Sequence, residues 1–255
     1  MSLQLISLGS GSNGNATLVR VNDTLLLIDA GFSAKIIAER LATIGVSPQD
    51  LAAILVSHEH SDHVKGVSVL ARKFQTPVWM TRGTHRRLKD KNIPVLEYFH
   101  PHGSFCIGDS KITPFPIPHD AAEPCQFIIS DGQRRFAIAT DMGCVTPYVS
   151  ELLTGVDALL LEANYDGEML RNGRYPYALQ SRIDGRYGHL SNEQSAQVAA
   201  SIEHPGLQQL LLGHLSENNN TPHCALGSVA NRLQRGADNV SVLNRAAVSE
   251  WFEVV

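Results

Sequence analysis

Residues 52–66 read AAILVSHEHSDHVKG. An apolar run, Ala52 to Val56, leads into His58, Glu59, His60, Asp62 and His63, and Val64, Val67, Ala71 and Phe74 then recur at helical spacing. The segment therefore predicts a buried strand, a polar turn and a helix in that order. In extended backbone, residues i and i+2 point the same way, so the imidazoles of His58 and His60 can bind one cation. Asp62 and His63 follow where the chain turns into the helix and project towards a second position. Imidazole and carboxylate donors suit zinc, manganese or iron, and the lack of thiolates argues against a closed structural zinc site. The plainer alternative is an exposed histidine-rich loop. The density of the pattern between strand and helix disfavours it.

Short apolar runs recur along the chain: Leu3 to Leu8, Ala16 to Val21, Leu25 to Ile28, Ala52 to Val56, Val78 to Met80, Ile112 to Ile117, Phe127 to Ile129, Phe136 to Ala139, Ala158 to Leu161 and Leu210 to Leu212. Their length and β-branched content predict strands. Asn22-Asp23 and Asp131-Gly132 are hairpin turn pairs, which predicts antiparallel neighbours. Helices are expected after Ser33, with Ile37, Leu41 and Ile44 on the apolar face and an end near Gly45; after His63; from Ser191, with Gln194 completing a capping box; and over Ala225 to Leu233. Residues 166–187 lack periodicity and read as a long irregular loop, a kind of segment more often functional than idle. The strands fall into two halves, each followed by helices, with no linker, repeat or low-complexity stretch. A single α/β domain over 1–255, two sheets packed face to face with helices outside, is the economical architecture.

Composition narrows the function classes. The 255 residues are 43% hydrophobic and 18% charged with a net charge of −4, which fits a packed globular protein and not a strongly basic, non-specific nucleic-acid binder. Any polyanion partner needs a local basic surface. No charged leader precedes an apolar stretch, and no segment reaches the ~18 apolar residues of a membrane helix, so a soluble cytoplasmic protein without membrane association is expected. Cys106, Cys125, Cys144 and Cys224 form no CxxC pair and read as small buried hydrophobes. Among eleven histidines, His85, His100, His102, His204 and His223 lack supporting context and read as surface residues.

HxHxDH between a strand and a helix resembles the signature of the metallo-β-lactamase superfamily, whose fold is a four-layer αββα sandwich. The similarity extends over nearly the whole chain, because further ligands of that family are matched in order, each after a strand-like run. The resemblance implies that His119, in PFPIPHDAAEP, joins His58 and His60 on a first metal. It implies that Asp141, in FAIATDMG, bridges two metals, and that His214, in LLLGHLSENN, completes the second with Asp62 and His63. Each of the three, taken singly, also reads as a solvated loop residue. The implied chemistry is that of two divalent cations ~3.5–4 Å apart, which lower the pKa of a bridging water towards ~7 and direct the hydroxide at a phosphoryl or carbonyl centre. Asp29, in LLLIDAG, is placed to orient a ligand imidazole, or is simply a turn residue before Gly31.

Two further positions bear on the substrate. Glu162 in LLEANYD and His189 in GRYGHLSNEQSA resemble the pair that assists leaving-group protonation in ribonuclease Z-like phosphodiesterases of the superfamily. Asp62, Glu162 and His189 are therefore the candidate catalytic residues, though His189 also reads as a helix-flanking residue and Glu162 as a buried structural carboxylate. Together with GSGSNGN near the start and HLSENN near the end, the pattern resembles the YycJ (WalJ) family, which implies 5′ to 3′ exonuclease activity on DNA. Arg171, Arg174, Arg182 and Arg186 could hold phosphates, and Tyr165, Tyr175, Tyr177 and Tyr187 could stack on bases; solvated arginines and core tyrosines are the alternatives. Ser12, Asn13 and Asn15 lie in a glycine-rich run, Gly9 to Asn15, that could form a backbone nest for an anion or a plain turn. The chain lacks the inserted domain of larger RNA-processing relatives and the glycine- and proline-rich arm of tRNA-maturing ones, which disfavours tRNA maturation. The rivals are a small-molecule phosphodiesterase acting on cyclic or simple esters and a metal-binding scaffold without turnover. Oligomeric state is not legible.

Overall fold

The computed structural model describes residues 2–255. Its fourteen strands form two seven-stranded mixed sheets, and its contacts fall into two compact units. The first comprises the chain up to Pro116 with Ala121–Arg134 and Asn244–Val255, the second Ile117–Asp120 with Arg135–Leu243.

In the first unit, β1 (Leu3–Gly9), β2 (Ala16–Val21) and β3 (Thr24–Ile28) run antiparallel. The Asn22-Asp23 turn works as expected, with Asn22 at φ 49°. Strand order then switches to parallel through β4 (Ala53–Leu55), β5 (Val78–Met80) and β6 (Leu96–Tyr98). Parallel neighbours need crossovers, and helices supply them: α1 (Ala34–Thr43), α2 (Ser61–Val64) with α3 (Val67–Phe74), and α4 (Arg82–Arg87). β7 (Phe105–Ile107), β8 (Ser110–Pro116) and β9 (Cys125–Ser130) form an antiparallel meander. Ser33 caps α1 by accepting from the Ile36 amide, and Ile37 and Leu41 pack onto Leu8, Leu18, Leu27 and Leu70 in one apolar core.

In the second unit, β10 (Arg135–Ala139), β11 (Ala158–Glu162), β12 (Gln209–Gly213) and β13 (Val240–Val242) are all parallel. The near-continuous apolar runs of β10, β11 and β12, buried throughout β11, are those of strands covered on both faces. The crossovers contain α5 (Pro147–Leu153), α6 (Gly167–Asn172), α7 (Tyr177–Ile183), α8 (Asn192–Ile202) and α9 (Pro222–Ala230). The Ser191/Gln194 capping box on α8 is fully formed. β14 (Phe252–Val254) returns to pair antiparallel with β1.

The structure corrects five local expectations. The helix after His63 is broken at Gly66, whose amide donates to the Ala30 carbonyl at 2.7 Å and whose site could not take a Cβ, which would lie 2.5 Å from the Phe32 carbonyl oxygen. Residues 166–187 are not an irregular loop but carry α6 and α7. The last helix starts earlier than Ala225, because Thr221 caps it ahead of Pro222. Only Cys125 of the four cysteines is fully buried. Two of the histidines read as surface residues are half-buried: His85 bonds the Tyr98 hydroxyl and His204 the Val156 carbonyl. No helix among the described residues is long and apolar enough to cross a membrane.

Candidate metal centre

The first unit carries His58, Glu59, His60, Asp62 and His63. β4 ends at Leu55, the chain stays extended, and His58 emerges fully buried, while His60 is the N-cap of α2. The Nε2 of His58 and the Nδ1 of His60 lie 3.1 Å apart, the convergence that the i, i+2 spacing demands. Asp62 and His63 come from the first turn of α2, with His63 Nε2 3.3 Å from Asp62 Oδ2. Behind them stands Asp29, one residue past β3. Its carboxylate accepts from His63 Nδ1 at 2.7 Å and from the amide and hydroxyl of Ser57, each at 2.8 Å. The backbone around Asp29 is laced to the same turn: Ala30 donates to the His63 carbonyl and Asn15 to the Asp62 carbonyl, both at 2.8 Å. Glu59 turns aside, its Oε1 accepting from the Ala122 amide at 2.8 Å.

The second unit carries His119, Asp141, Glu162, His189 and His214. Asp141 follows β10 and His214 follows β12 directly, at φ 61° and 58°. One carboxylate oxygen of Asp141 faces two imidazoles, 3.2 Å from His214 Nε2 and 3.9 Å from His119 Nε2. Glu162, the last residue of β11, is fully buried. Its Oε1 lies 2.8 Å from His189 Nδ1 and 3.0 Å from His214 Nδ1, and its Oε2 accepts from the amides of Met142 and Leu190 at 3.1 and 3.0 Å. Burial opposes ionisation of this carboxyl, but the imidazoles of His189 and His214 outweigh it and hold the group down at about 2. Asp141, Glu162, His189 and His214 thus form one cluster whose donor atoms lie within 4.8 Å of one another.

These residues fit divalent cations. The Nδ1 of His63 is bonded to Asp29, that of His119 to the Gly188 carbonyl at 3.2 Å, and that of His214 to Glu162. An imidazole donating from Nδ1 to an oxygen presents Nε2 as the basic nitrogen, the arrangement found behind metal-ligating histidines. Ser57, Asn164 and Gly188 were not anticipated from the sequence. Asn164 donates to the His214 carbonyl at 2.8 Å. Its place two residues beyond Glu162 was the only available signal.

The residues expected to meet substrate are placed less uniformly. Asn15 is buried and closes its own turn: its Oδ1 accepts from the Gly11 amide at 3.0 Å and the Ser10 hydroxyl at 3.1 Å, and its amide donates to the Gly11 carbonyl. The amides of Gly9, Ser10, Gly11 and Gly14 are all bonded within the protein. Ser12 is half-buried and Asn13 exposed. The four arginines are not presented alike. All four are exposed, but Arg171 pairs with Glu168 at 2.5 Å and Arg182 with Asp120 at 2.6 Å, whereas no ion pair among the described residues includes Arg174 or Arg186. Tyr165 is a packed residue whose hydroxyl donates to Asp184, and Tyr175 accepts from Asn218, whereas Tyr177 and Tyr187 are exposed.

Comparison with known proteins agrees with this geometry. The Beta-lactamase superfamily domain matches residues 24–215. Exodeoxyribonuclease YycJ of Bacillus anthracis is 36% identical over 242 residues, 92% of this chain and 90% of its own. Exodeoxyribonuclease WalJ of Streptococcus pneumoniae is 35% identical over 241 residues, with the same coverage of 92% and 90%. The metallo-beta-lactamase fold protein YhfI from Bacillus subtilis superposes with a TM-score of 0.77 over 99% of this chain and 100% of that one, at 16% identity, which speaks for the fold. Two mixed sheets flanked by helices are the α/β sandwich that the resemblance implied. On this evidence the chain belongs to the metallo-β-lactamase superfamily and, within it, to the YycJ/WalJ family.

Proposed function

We propose that this protein is a binuclear metal-dependent phosphodiesterase that degrades DNA in the 5′ to 3′ direction, acting in the cytoplasm as a single domain. His58, His60 and His119 would hold one divalent cation and Asp62, His63 and His214 the other, with Asp141 available to both. Zinc, manganese or iron suits these donors. Such a pair of cations, when bound, activates a shared water and neutralises charge developing on a phosphoryl oxygen. The chain's own groups do the rest. Asp29, the Gly188 carbonyl and Glu162 fix the tautomers of three ligand imidazoles, and His189 supplies a proton to the departing alkoxide.

The observation that carries this reading is the Glu162–His189 pair. With Nδ1 donating to Glu162 at 2.8 Å, the imidazolium form of His189 carries a second proton, on Nε2, to give, and a side chain 22% exposed can reach a leaving group. An alkoxide leaving from a phosphodiester gains from such a general acid. The names of the YycJ and WalJ relatives, both exodeoxyribonucleases, support DNA as the polymer.

The test is product mapping on 5′- and 3′-labelled single- and double-stranded DNA with zinc or manganese restored, beside a cyclic nucleotide and bis-p-nitrophenyl phosphate. Successive release of nucleotides from the 5′ end, strongly preferred over both small esters, is the expected result. Faster turnover of the cyclic nucleotide would identify a small-molecule phosphodiesterase. Metal binding without hydrolysis of any substrate would identify a scaffold.

A further inference from the structure

We propose that Arg86 and Arg87 form a phosphate-binding subsite for a DNA strand beside the metal-binding turn. The proposal rests on the nuclease reading and adds to it a place where the polymer is held.

In a chain of net charge −4, residues 82–91 read RGTHRRLKDK, five cationic side chains against Asp90. That carboxylate is bonded to Arg72 at 2.9 Å, outside the run. Arg82 stacks over Tyr98, 4.4 Å from its centroid. Arg86 and Arg87 point elsewhere. With Gly83 and Ala122 they line a cavity of about 490 Å³, within the ~300–1,000 Å³ of small-ligand sites. Both are exposed, and no salt bridge among the described residues includes either. The nearby carboxylate, Glu123, is engaged: its Oε2 accepts from the Gly83 amide at 2.7 Å.

Position supplies the second half. The cavity wall is fastened to the HEHSDH turn within the first unit. Ala122 donates its amide to Glu59 at 2.8 Å, and Glu59 stands between His58 and His60. On the other side α4 is clamped to the 122–123 segment. Thr81 Oγ1 donates to the Glu123 carbonyl at 3.1 Å, and a Cβ on Gly83 would lie 2.4 Å from that of Glu123. Two guanidinium forks, whose geometry matches phosphate oxygens, are thus held on a short rigid helix next to the candidate ligands. They suit a phosphate that flanks the scissile one, either an internucleotide diester or the terminal 5′-monoester.

The test is fluorescence anisotropy of a labelled oligonucleotide binding the metal-stripped full chain, which separates binding from cleavage. R86A/R87A is expected to weaken binding on the order of 10- to 100-fold. It should also flatten the salt dependence by about one unit of slope per lost contact. R86K/R87K should recover the salt slope but only part of the affinity. A larger loss on 5′-phosphorylated than on 5′-hydroxyl DNA assigns the site to the terminal phosphate, and equal losses to an internucleotide one. Unchanged affinity and slope overturn the proposal, and so does a variant with lowered melting temperature or lost zinc content. If the wild type binds DNA through these arginines but does not cut it, the nuclease reading fails and the subsite stands. If it cuts DNA and the variants bind normally, the reading stands and the subsite falls.

Discussion

A single oxygen of Glu162 serves two histidines, 2.8 Å from His189 and 3.0 Å from His214. The same charge therefore fixes a candidate metal ligand and a candidate proton donor. The two roles separate by leaving group. His189→Ala should lower kcat on DNA by ~10²–10⁴, the range for losing a general acid, and lower it much less on bis-p-nitrophenyl phosphate, whose phenolate needs little protonation. Steady-state kinetics on both substrates decide it, and equal losses would reduce His189 to a structural role. Backbone strain marks His214 and two of the carboxylates. Asp29, Asp141 and His214 are three of the non-glycine residues at positive φ, a conformation that persists where surrounding contacts over-determine it. None of this strain is legible in the sequence. The HxHxDH ligands could be read from spacing, and His119, Asp141 and His214 from resemblance. Ser57, Asn164 and the Gly188 carbonyl could not, because each acts through a hydrogen bond to a residue distant in sequence or through backbone alone.

At the level of elements, the sequence was readable where burial is two-sided. Each of the ten apolar runs became a strand, whereas β6, β7, β13 and β14 were missed, and these four are the edges of the two sheets. They are three residues long, and the first three are half-buried or exposed throughout. One-sided pairing in so short a span leaves no periodic signal. The same holds for α6 and α7, too short for a helical stripe; α7 buries no residue. Gly31 shows how tightly the readable elements are joined. A Cβ there would lie 1.6 Å from the Asp62 carbonyl oxygen, so the end of β3 can meet the start of α2 only as bare backbone. Gly45, at φ 70°, faces open space. Gly45→Ala should cost only the left-handed penalty of about 1–2 kcal/mol. Gly31→Ala should destabilise more and release metal, because Asp62 and His63 must move. Urea denaturation with zinc analysis checks the pair, and equal costs with retained zinc would show that the turn yields freely.

Across the whole molecule, the unusual feature is how many ionisable groups are buried: Asp29, His58, His63, His119, Asp141, Glu162 and His214 are all below a tenth exposed. Burying charge is costly unless it is paired or coordinates a cation. Hydrogen bonds account for Asp29 and Glu162. Divalent cations would compensate the carboxylates of Asp62 and Asp141, and this ties stability to metal. A ligand that binds only the folded chain stabilises by ~2.7 kcal/mol at a hundred times its Kd, and each kcal/mol moves the midpoint of a protein this size by about 2–4 °C. Chelation should therefore lower Tm by about 5–10 °C, with full recovery on adding zinc or manganese. Asp141→Asn, which removes the shared charge, should shrink that difference. Calorimetry on stripped and reloaded protein measures both. A Tm indifferent to chelation would mean that internal hydrogen bonds alone support the cluster, and the proposed metal centre would have to be given up.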